Sequence, residues 1–517
     1  YTGTCPVNSH VISEPPLCEV QAGLPSFDQS HAFDSSNDLA QVRGLGFDFA
    51  RLTINWSQLE PDPGVYNTTY LDRIAQVVEW ARQQGVRVLL DMHQDNYSRF
   101  TPETYPYQVP PAVTTTTESG GHADGAPPWA VVTDGEPPLA PFGQAPFNAF
   151  VEAAFTSFWL NRVPVDPATG QPLPQGQAPG LGLQDHYIGA MVQVASRFKH
   201  DPTVVGYEIM NEPLPGYIPP GAFDQTSLYP FYRRVIDAMT GVRDGVPCPP
   251  SSSYGAQCGY PDQGVGDRRH LVFFEPMAAR NLTDFATAPS GPFSSYPNLV
   301  YAPHAYTHVF TADTVVPGGV VSSAYPPSYD QAMQTADAEA RLLGAALFIG
   351  EYGNGNADDD RILSQETAAQ DRAMVGSALW AWKGNCNPDR TTPHDCWPGL
   401  WSVYYGDPAA VPAQNLGPIP TRQRYLARVW PRATVGTLQS YSYDPVGQSF
   451  TMSASSSQAV RPAHPDEETV VYVPAGVPGV ASVTGAAVLD TVVANPDKSQ
   501  LVYVAPTGGG TYGVAVH

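Results

Sequence analysis

The chain has 517 residues and carries 49 acidic against 26 basic side chains, a formal net charge of −23. That excess of carboxylates excludes nucleic acid as a partner and excludes adsorption to an anionic membrane through a basic patch. No apolar stretch reaches the length of a bilayer span, and the length suits a large core in two domains.

The first residues, Tyr1-Thr2-Gly3-Thr4-Cys5, lack the basic start and apolar run of an export signal, which reads as a processed start. The cysteines fall in three local pairs without C-x-x-C spacing: Cys5 with Cys18, Cys248 with Cys258, and Cys386 with Cys396. We read them as disulfide staples of loops in a secreted, extracellular protein. The Asn-x-Ser/Thr sequons at Asn67, Asn96 and Asn281 are weak signals. Lysine occurs only at Lys199, Lys383 and Lys498, so arginine carries most of the positive charge.

From about residue 46 to 383 short apolar runs alternate with amphipathic segments. The runs at 47–54, 86–92, 204–210, 271–274, 299–302, 347–350 and 377–382 predict strands. Between them, 70–84 has apolar residues at helical spacing and closes at Gly85, a residue suited to a helix C-terminus. Residues 186–198, 229–239 and 329–343 behave likewise. Repeated strand–helix units imply a parallel sheet, and this many predict a (β/α)8 TIM barrel. The first barrel strand is not obvious; residues 7–12 or 20–22 are the candidates. Two Pro/Gly-rich insertions interrupt the pattern, 95–147 and 162–184. The former follows the strand at 86–92 and is expected to form a lid or a groove wall. Beyond Trp430 helical spacing stops. Segments 437–443, 449–453, 469–473, 486–493 and 501–504 alternate or are β-branched, which predicts a C-terminal β-sandwich domain. The division expected is a barrel over 1–430 and a sandwich over 431–517.

Two motifs stand out: Gly206-Tyr207-Glu208-Ile209-Met210-Asn211-Glu212-Pro213 and Phe348-Ile349-Gly350-Glu351-Tyr352-Gly353. Each is an apolar run ending in a glutamate and then broken by Pro or Gly. A carboxylate at the tip of a buried strand is costly unless something there uses it. In a barrel, strand C-termini converge on one mouth. The chain puts polar or aromatic residues at almost every tip: Arg51 and Trp56, His93 and Asp95, Asn211 and Glu212, Glu275, His304 and Tyr306, Glu351, and Trp382 with Lys383.

Paired carboxylates at one mouth are what glycoside hydrolysis needs. We assign Glu351 as nucleophile and Glu212 as acid/base. Asn211 is placed to bind the sugar 2-hydroxyl. Arg51 and Tyr306 are placed to hold Glu351 ionised, and Trp382 to floor the subsite. Glu275, followed by Pro276, stays outside the catalytic set. Trp380 shares a strand face with Trp382 and is expected deeper, in the core. No metal and no cofactor is called for.

At these residues the chain resembles glycoside hydrolase family 5. The matching elements, in order, are Asn-Glu-Pro at 211–213, His-x-Tyr at 304–306, Gly-Glu-Tyr-Gly at 350–353 and the late Trp382. More narrowly it resembles the endoglycoceramidases, through Leu90-Asp91-Met92-His93-Gln94-Asp95-Asn96-Tyr97-Ser98, Gly125-Ala126-Pro127-Pro128-Trp129, residues 155–159 and the run from His186 to Gly216. The resemblance implies release of an intact glycan from ceramide. It also implies that His93, Asp95, Asn211, Glu212, His304, Tyr306, Glu351 and Trp382 occupy sugar-site positions. Lys383 is added as a contact to a glycan hydroxyl. Leu214, Tyr217, Ile218 and Pro219 would build an apolar slot for the lipid, and an apolar rim suits transient contact with a membrane or micelle. No obligate protein partner is implied. The competing readings are a β-glucosidase or polysaccharide endoglucanase of the same family, and a non-catalytic carbohydrate-binding protein on a hydrolase scaffold.

Overall fold

In a computed structural model of the chain the described residues are 36–98, 125–136, 148–243, 259–286, 296–315, 328–354, 359–385, 401–407, 414–459, 468–479, 481–493 and 498–517. Six parallel strands are neighbours in sequence and in space: β1 (Phe49–Ile54), β2 (Arg87–Met92), β3 (Val204–Glu208), β4 (Leu271–Phe274), β5 (Leu299–Tyr301) and β6 (Ala346–Leu347). β7 (Ile349–Tyr352) pairs in parallel with β8 (Ser377–Leu379). β6 and β7 are one run broken at Phe348, whose N–H donates to Tyr301 O at 3.0 Å. Ala305 bridges in parallel to Tyr352, so the second pair continues the first, and β8 packs against β1. The predicted strands are therefore present, with the last one ending at Leu379 rather than Trp382. The first strand, sought at 7–12 or 20–22, lies outside the described residues, as do all six cysteines.

The helices form where spacing and capping agree. Helix Thr68–Gln84 starts where Asn67 accepts from the Tyr70 N–H, and it stops at Gly85, which takes φ 68°. Asn67, one of the three sequon asparagines, thus serves as a cap. Helix Tyr329–Leu343 begins with a Ser328/Gln331 capping box and ends at Gly344. Helices Leu183–Phe198 and Tyr229–Thr240 bury most of their residues against the wall of strands. Among the described residues no helix is long and apolar enough to cross a membrane.

Alternation along the strands sorts their inward side chains into layers. Phe49, Leu89, Val205, Phe273, Val300 and Phe348 pack together as an apolar plug. Two residues further along β1, β2 and the end of β4 come Arg51, Asp91 and Glu275. Above these come His93 and His304. The plug keeps water out from below, and the polar layers face the strand C-termini.

Of insertion 95–147, residues 95–98 and 125–136 are described. Ser98 bridges Gly125, and Trp129 packs on Trp56 and His186 while donating to Glu60 O at 3.2 Å. Insertion 162–184 folds back on the wall, with the Gln177 N–H donating to Gly64 O.

After residue 430 two four-stranded antiparallel sheets appear. Their strands are β9 (Trp430–Ala433), β10 (Thr437–Asp444), β11 (Ser449–Ser456), β12 (Thr469–Val473), β13 (Ala481–Thr484), β14 (Ala486–Val493), β15 (Gln500–Pro506) and β16 (Gly510–Val516). The strand orders are β9-β12-β15-β14 and β10-β11-β16-β13. Val471, Val473, Val502 and Val504 of the first sheet share one apolar cluster with Phe450, Met452, Tyr512 and Val514 of the second. Arg428 ion-pairs with Asp371, and the Trp430 indole N–H donates to Gly46 O at 3.2 Å, tying this region to the parallel strands. Gly46 has φ 94°, and a Cβ there would meet the Tyr472 ring at 2.4 Å, so only glycine fits.

Glu366, on helix Ile362–Ala373, is buried and accepts from Gln370 Nε2 at 3.2 Å. Burial, helped by the negative Asp284, pushes its carboxyl up from 4.5 to about 8. Between those values the folded chain holds a proton that the unfolded chain has released, so stability falls as pH rises through that window. Glu366→Gln keeps the shape without the charge. It is expected to raise Tm at about pH 8 and to flatten the fall in Tm from about pH 5. Thermal denaturation across pH checks this, and an unchanged slope would contradict it.

Candidate active site

Glu212 follows β3 and Glu351 lies within β7, 300 residues beyond Arg51 on β1, yet all three meet at one mouth. One carboxylate oxygen of Glu212, one of Glu351 and a ring nitrogen of His304 lie within 4.8 Å of one another. The Glu351 side chain is 7 % exposed and that of Glu212 is 27 % exposed.

The two carboxyl groups have different surroundings. Arg51 Nη1 donates to Glu351 Oε1, and the Tyr306 hydroxyl donates to Glu351 Oε2 at 2.6 Å. Guanidinium and phenol together stabilise a negative charge on Glu351. Glu212 instead receives Asn281 Nδ2 at 2.6 Å and lies 2.7 Å from His304 Nδ1, both through Oε1.

Arg51 is the hub. Its Nε donates to Glu208 Oε2 at 2.5 Å, and its Nη2 donates to Asn211 Oδ1 at 2.8 Å and Glu275 Oε1 at 3.2 Å. Asp91 Oδ2 is 3.1 Å from the same Nη2. Burial alone would lower its pKa, but Asp91, Glu208, Glu351 and Glu275 reverse that and raise it well above the ordinary arginine value. Glu208 moves the other way from an ordinary carboxylate. Burial, with Asp91 and Glu275 beside it, pushes it well up despite Arg51. Burial also raises Glu275, against the pull of His304 and Arg51.

Both histidines are flanked by carboxylates. His93 Nδ1 is 2.7 Å from Asp91 Oδ2, and Nε2 is 3.6 Å from Asp95 Oδ2. Burial works against its proton, but Asp91 and Asp95 carry its pKa well above the usual histidine range. His304 behaves alike, with Glu275, Glu351 and Glu212 outweighing burial. Its Nε2 is 3.1 Å from Glu275 Oε1, an ion-pair distance at an angle outside hydrogen-bond geometry. Asp95, 41 % exposed, reaches the solvent side, where partial desolvation works against its charge but His93 holds its carboxyl below its usual value.

Backbone geometry sets the position of Glu212. Its φ is 38°, a conformation that costs a non-glycine residue energy. Its N–H donates to Glu275 Oε2 at 3.1 Å, and Gln94 Nε2 donates to the carbonyls of Asn211 and Glu212 at 2.7 and 2.9 Å. Asn211 donates in return to Gln94 O at 3.0 Å, which leaves one amide N–H for a ligand.

The family model for cellulases of glycosyl hydrolase family 5 matches residues 18–386. The chain belongs to glycoside hydrolase family 5. It is 27 % identical over 238 residues to an endoglycoceramidase of Hydra vulgaris, covering 40 % of this chain and 39 % of that protein. It is 25 % identical over 351 residues to endoglycoceramidase I of Rhodococcus hoagii, covering 65 % of this chain and 57 % of that one. The chain thus spans about two fifths and under three fifths of the length of these two relatives. The crystal structure of an endogalactoceramidase superposes with TM-score 0.66 at 24 % identity over 93 % of this chain and 90 % of the other. The family and this fold make the parallel strands a TIM barrel, and the chain a glycoside hydrolase.

In this family 5 barrel the tryptophans sit differently from expectation. Trp380 stacks face to face on His93, with centroids 5.2 Å apart and planes at 3°. It packs in one cluster with Tyr306 and Trp401. Trp382 packs against both core clusters, and its indole N–H donates to Asp38 at 3.0 Å. Two-residue alternation stops with β8 at Leu379, so it no longer predicts which tryptophan lies deeper. Lys383 begins the strand Lys383–Asn385. Ile218, expected in an apolar slot, is in the core, whereas Tyr217 is 48 % exposed. Sequence reasoning passed over Asp91, Glu208, Gln94 and Asn281. Asp91 and Gln94 lie within the run 90–98, Glu208 lies within 206–213, and Asn281 carried only its sequon, although its amide nitrogen is engaged with Glu212.

Arg51 is buried and offsets several carboxylates, so Arg51→Met is expected to cost about 3–5 kcal/mol of stability. Adding Glu208→Gln removes one of the carboxyl groups left without its cation and should recover part of that loss. Chemical denaturation of the single and double variants checks the coupling, and strictly additive losses would contradict it.

Proposed function

We propose that this family 5 hydrolase is a retaining endo-β-glycosidase that cleaves the bond between glycan and ceramide in glycosphingolipids of gluco- or galactosylceramide type. The observation that carries this reading is the approach of Glu212 and Glu351 within 4.8 Å, with different partners on each. Retaining enzymes hold their carboxyl groups about 5–5.5 Å apart, and inverting ones leave a wider gap for water.

In the first step a Glu351 oxygen attacks the anomeric carbon, the glycosidic C–O bond breaks, and the proton of Glu212 passes to the leaving ceramide oxygen. In the second, Glu212 takes a proton from water, the hydroxide displaces Glu351, and the free glycan leaves. Arg51 and Tyr306 serve Glu351 as carboxylate and as leaving group. His93, Asp95, Asn211 and the neighbouring tryptophan faces, Trp382 included as the subsite floor, supply sugar contacts, and Lys383 contacts an outer glycan hydroxyl. No metal enters either step. Chelator treatment is therefore expected to leave the rate unchanged.

The choice of ceramide rests on the names of the relatives, two endoglycoceramidases and an endogalactoceramidase. Exposed Tyr217, Phe285 and Phe310 support an apolar rim on loops that leave the strand ends, suited to a lipid surface. The same proposal includes a catalytic barrel over 1–430, a β-sandwich over 431–517 and an extracellular location.

The test is incubation with a panel of gluco- and galactosylceramides carrying short glycans. Intact glycan and ceramide are the expected products, and hydrolysis of soluble β-glucans without action on any glycolipid would refute the substrate assignment. Glu351→Ser is expected to lower turnover by at least about a thousandfold while glycolipid binding persists. Full activity in that variant would remove Glu351 from the mechanism.

A further inference from the structure

The 3-10 turn Ala278–Leu282 lies just beyond β4 and carries Asn281 into the mouth. Asn281 Nδ2 is 2.6 Å from Glu212 Oε1. His304 Nδ1 reaches the same oxygen at 2.7 Å. Both therefore crowd one oxygen of a carboxyl whose side chain is 27 % exposed. The turn is pinned on three sides. The Ala278 N–H donates to Pro213 O at 3.0 Å, Arg280 Nη1 donates to His304 O at 2.9 Å, and Arg280 Nε donates to Glu339 Oε2 at 2.9 Å. Asn281 is thus fixed relative to the segments that carry Glu212 and His304.

A side-chain amide nitrogen can only donate. An oxygen that receives it must accept, so that oxygen is the carbonyl one when the carboxyl is protonated. The hydroxyl is left on the other oxygen. We propose that Asn281 is a positioning residue for the acid/base: by occupying Glu212 Oε1 it confines the transferable proton to Oε2 and fixes the rotation of the carboxyl toward the leaving oxygen. This rests on the reading of Glu212 as acid/base and assigns a role to a residue outside the two catalytic motifs.

The role has a signature that simple structural support lacks. Proton donation matters for a poor leaving group and hardly at all for a very good one. The experiment compares phenyl with 2,4-dinitrophenyl β-lactosides and β-galactosides for wild type, Asn281→Ala, Asn281→Asp and Glu212→Gln, with kcat/KM followed across pH. Loss of a hydrogen bond to an ionisable group corresponds to roughly 10–100-fold. Asn281→Ala is expected to lose about that factor in kcat/KM on the phenyl substrate and far less on the dinitrophenyl one. Asn281→Asp places a second carboxyl against Oε1 and is expected to move the alkaline limb of the profile to higher pH. Equal losses on both substrates, or an unmoved alkaline limb in Asn281→Asp, would overturn the proposal. If Glu212→Gln itself shows no dependence on leaving group, the acid/base assignment fails first and takes this role with it. If Glu212→Gln shows that dependence and Asn281→Ala does not, only the role of Asn281 fails.

Discussion

Carboxylates that leave water need a positive charge to face, and at this mouth Arg51 is the guanidinium shared among four of them. It meets Asp91, Glu208, Glu275 and Glu351, each at ion-pair distance and each on a different segment of the wall. The apolar plug of Phe49, Leu89, Phe273 and Phe348 lies beneath and denies these groups any solvent from below. In so dry a setting the guanidinium is worth more than at a surface, and its loss is correspondingly costly. The geometry of Glu351 and the placing of Asn211 follow from where that one cation sits, whereas burial, Asp91 and Glu275 raise Glu208 against its pull.

The difference between the two glutamates follows from the same constraint. Glu351 is served by donors on both oxygens, one of them cationic, and is nearly closed off. Glu212 is more exposed and has both of its neighbours on one oxygen. Its strained backbone, at φ 38°, is held by Glu275 below and Gln94 beside it. Strain of this sort persists only where surrounding bonds over-determine the position. One carboxyl is therefore held by donors on both oxygens, and the other is held on one oxygen and stands more open to the mouth.

Much of the barrel is legible in the chain because buried parallel strands announce themselves as short apolar runs with a polar tip. The two-residue step from Phe49 to Arg51, from Leu89 to Asp91 and His93, and from Phe273 to Glu275 places the inward layers directly. That logic fails where the strand ends. Beyond Leu379 the chain leaves the sheet, so alternation ranks Trp380 and Trp382 in the wrong order relative to His93. It is also silent about loops: Asn281 arrives on a short turn with no periodic signal, and its sequon suggests a different chemistry. Glu208 is hidden in an apolar run, because its partner Arg51 is 157 residues away. In the C-terminal sheets, the β-branched strands are readable, whereas Trp430–Ala433 holds a proline and Gly510–Val516 opens on glycine, which mask the strand pattern.

The central claim is that Glu351 forms a bond to the sugar while Glu212 manages the proton. Trapping with a 2-deoxy-2-fluoro-β-glycoside bearing a dinitrophenyl leaving group tests it most directly, because fluorine slows the second step and lets the covalent species accumulate. Digestion and mass spectrometry of the inactivated enzyme should find one added fluoro-sugar on the peptide containing Gly350-Glu351-Tyr352. A label on Glu212 or elsewhere, or release of product with inverted anomeric configuration and no label at all, would contradict the account.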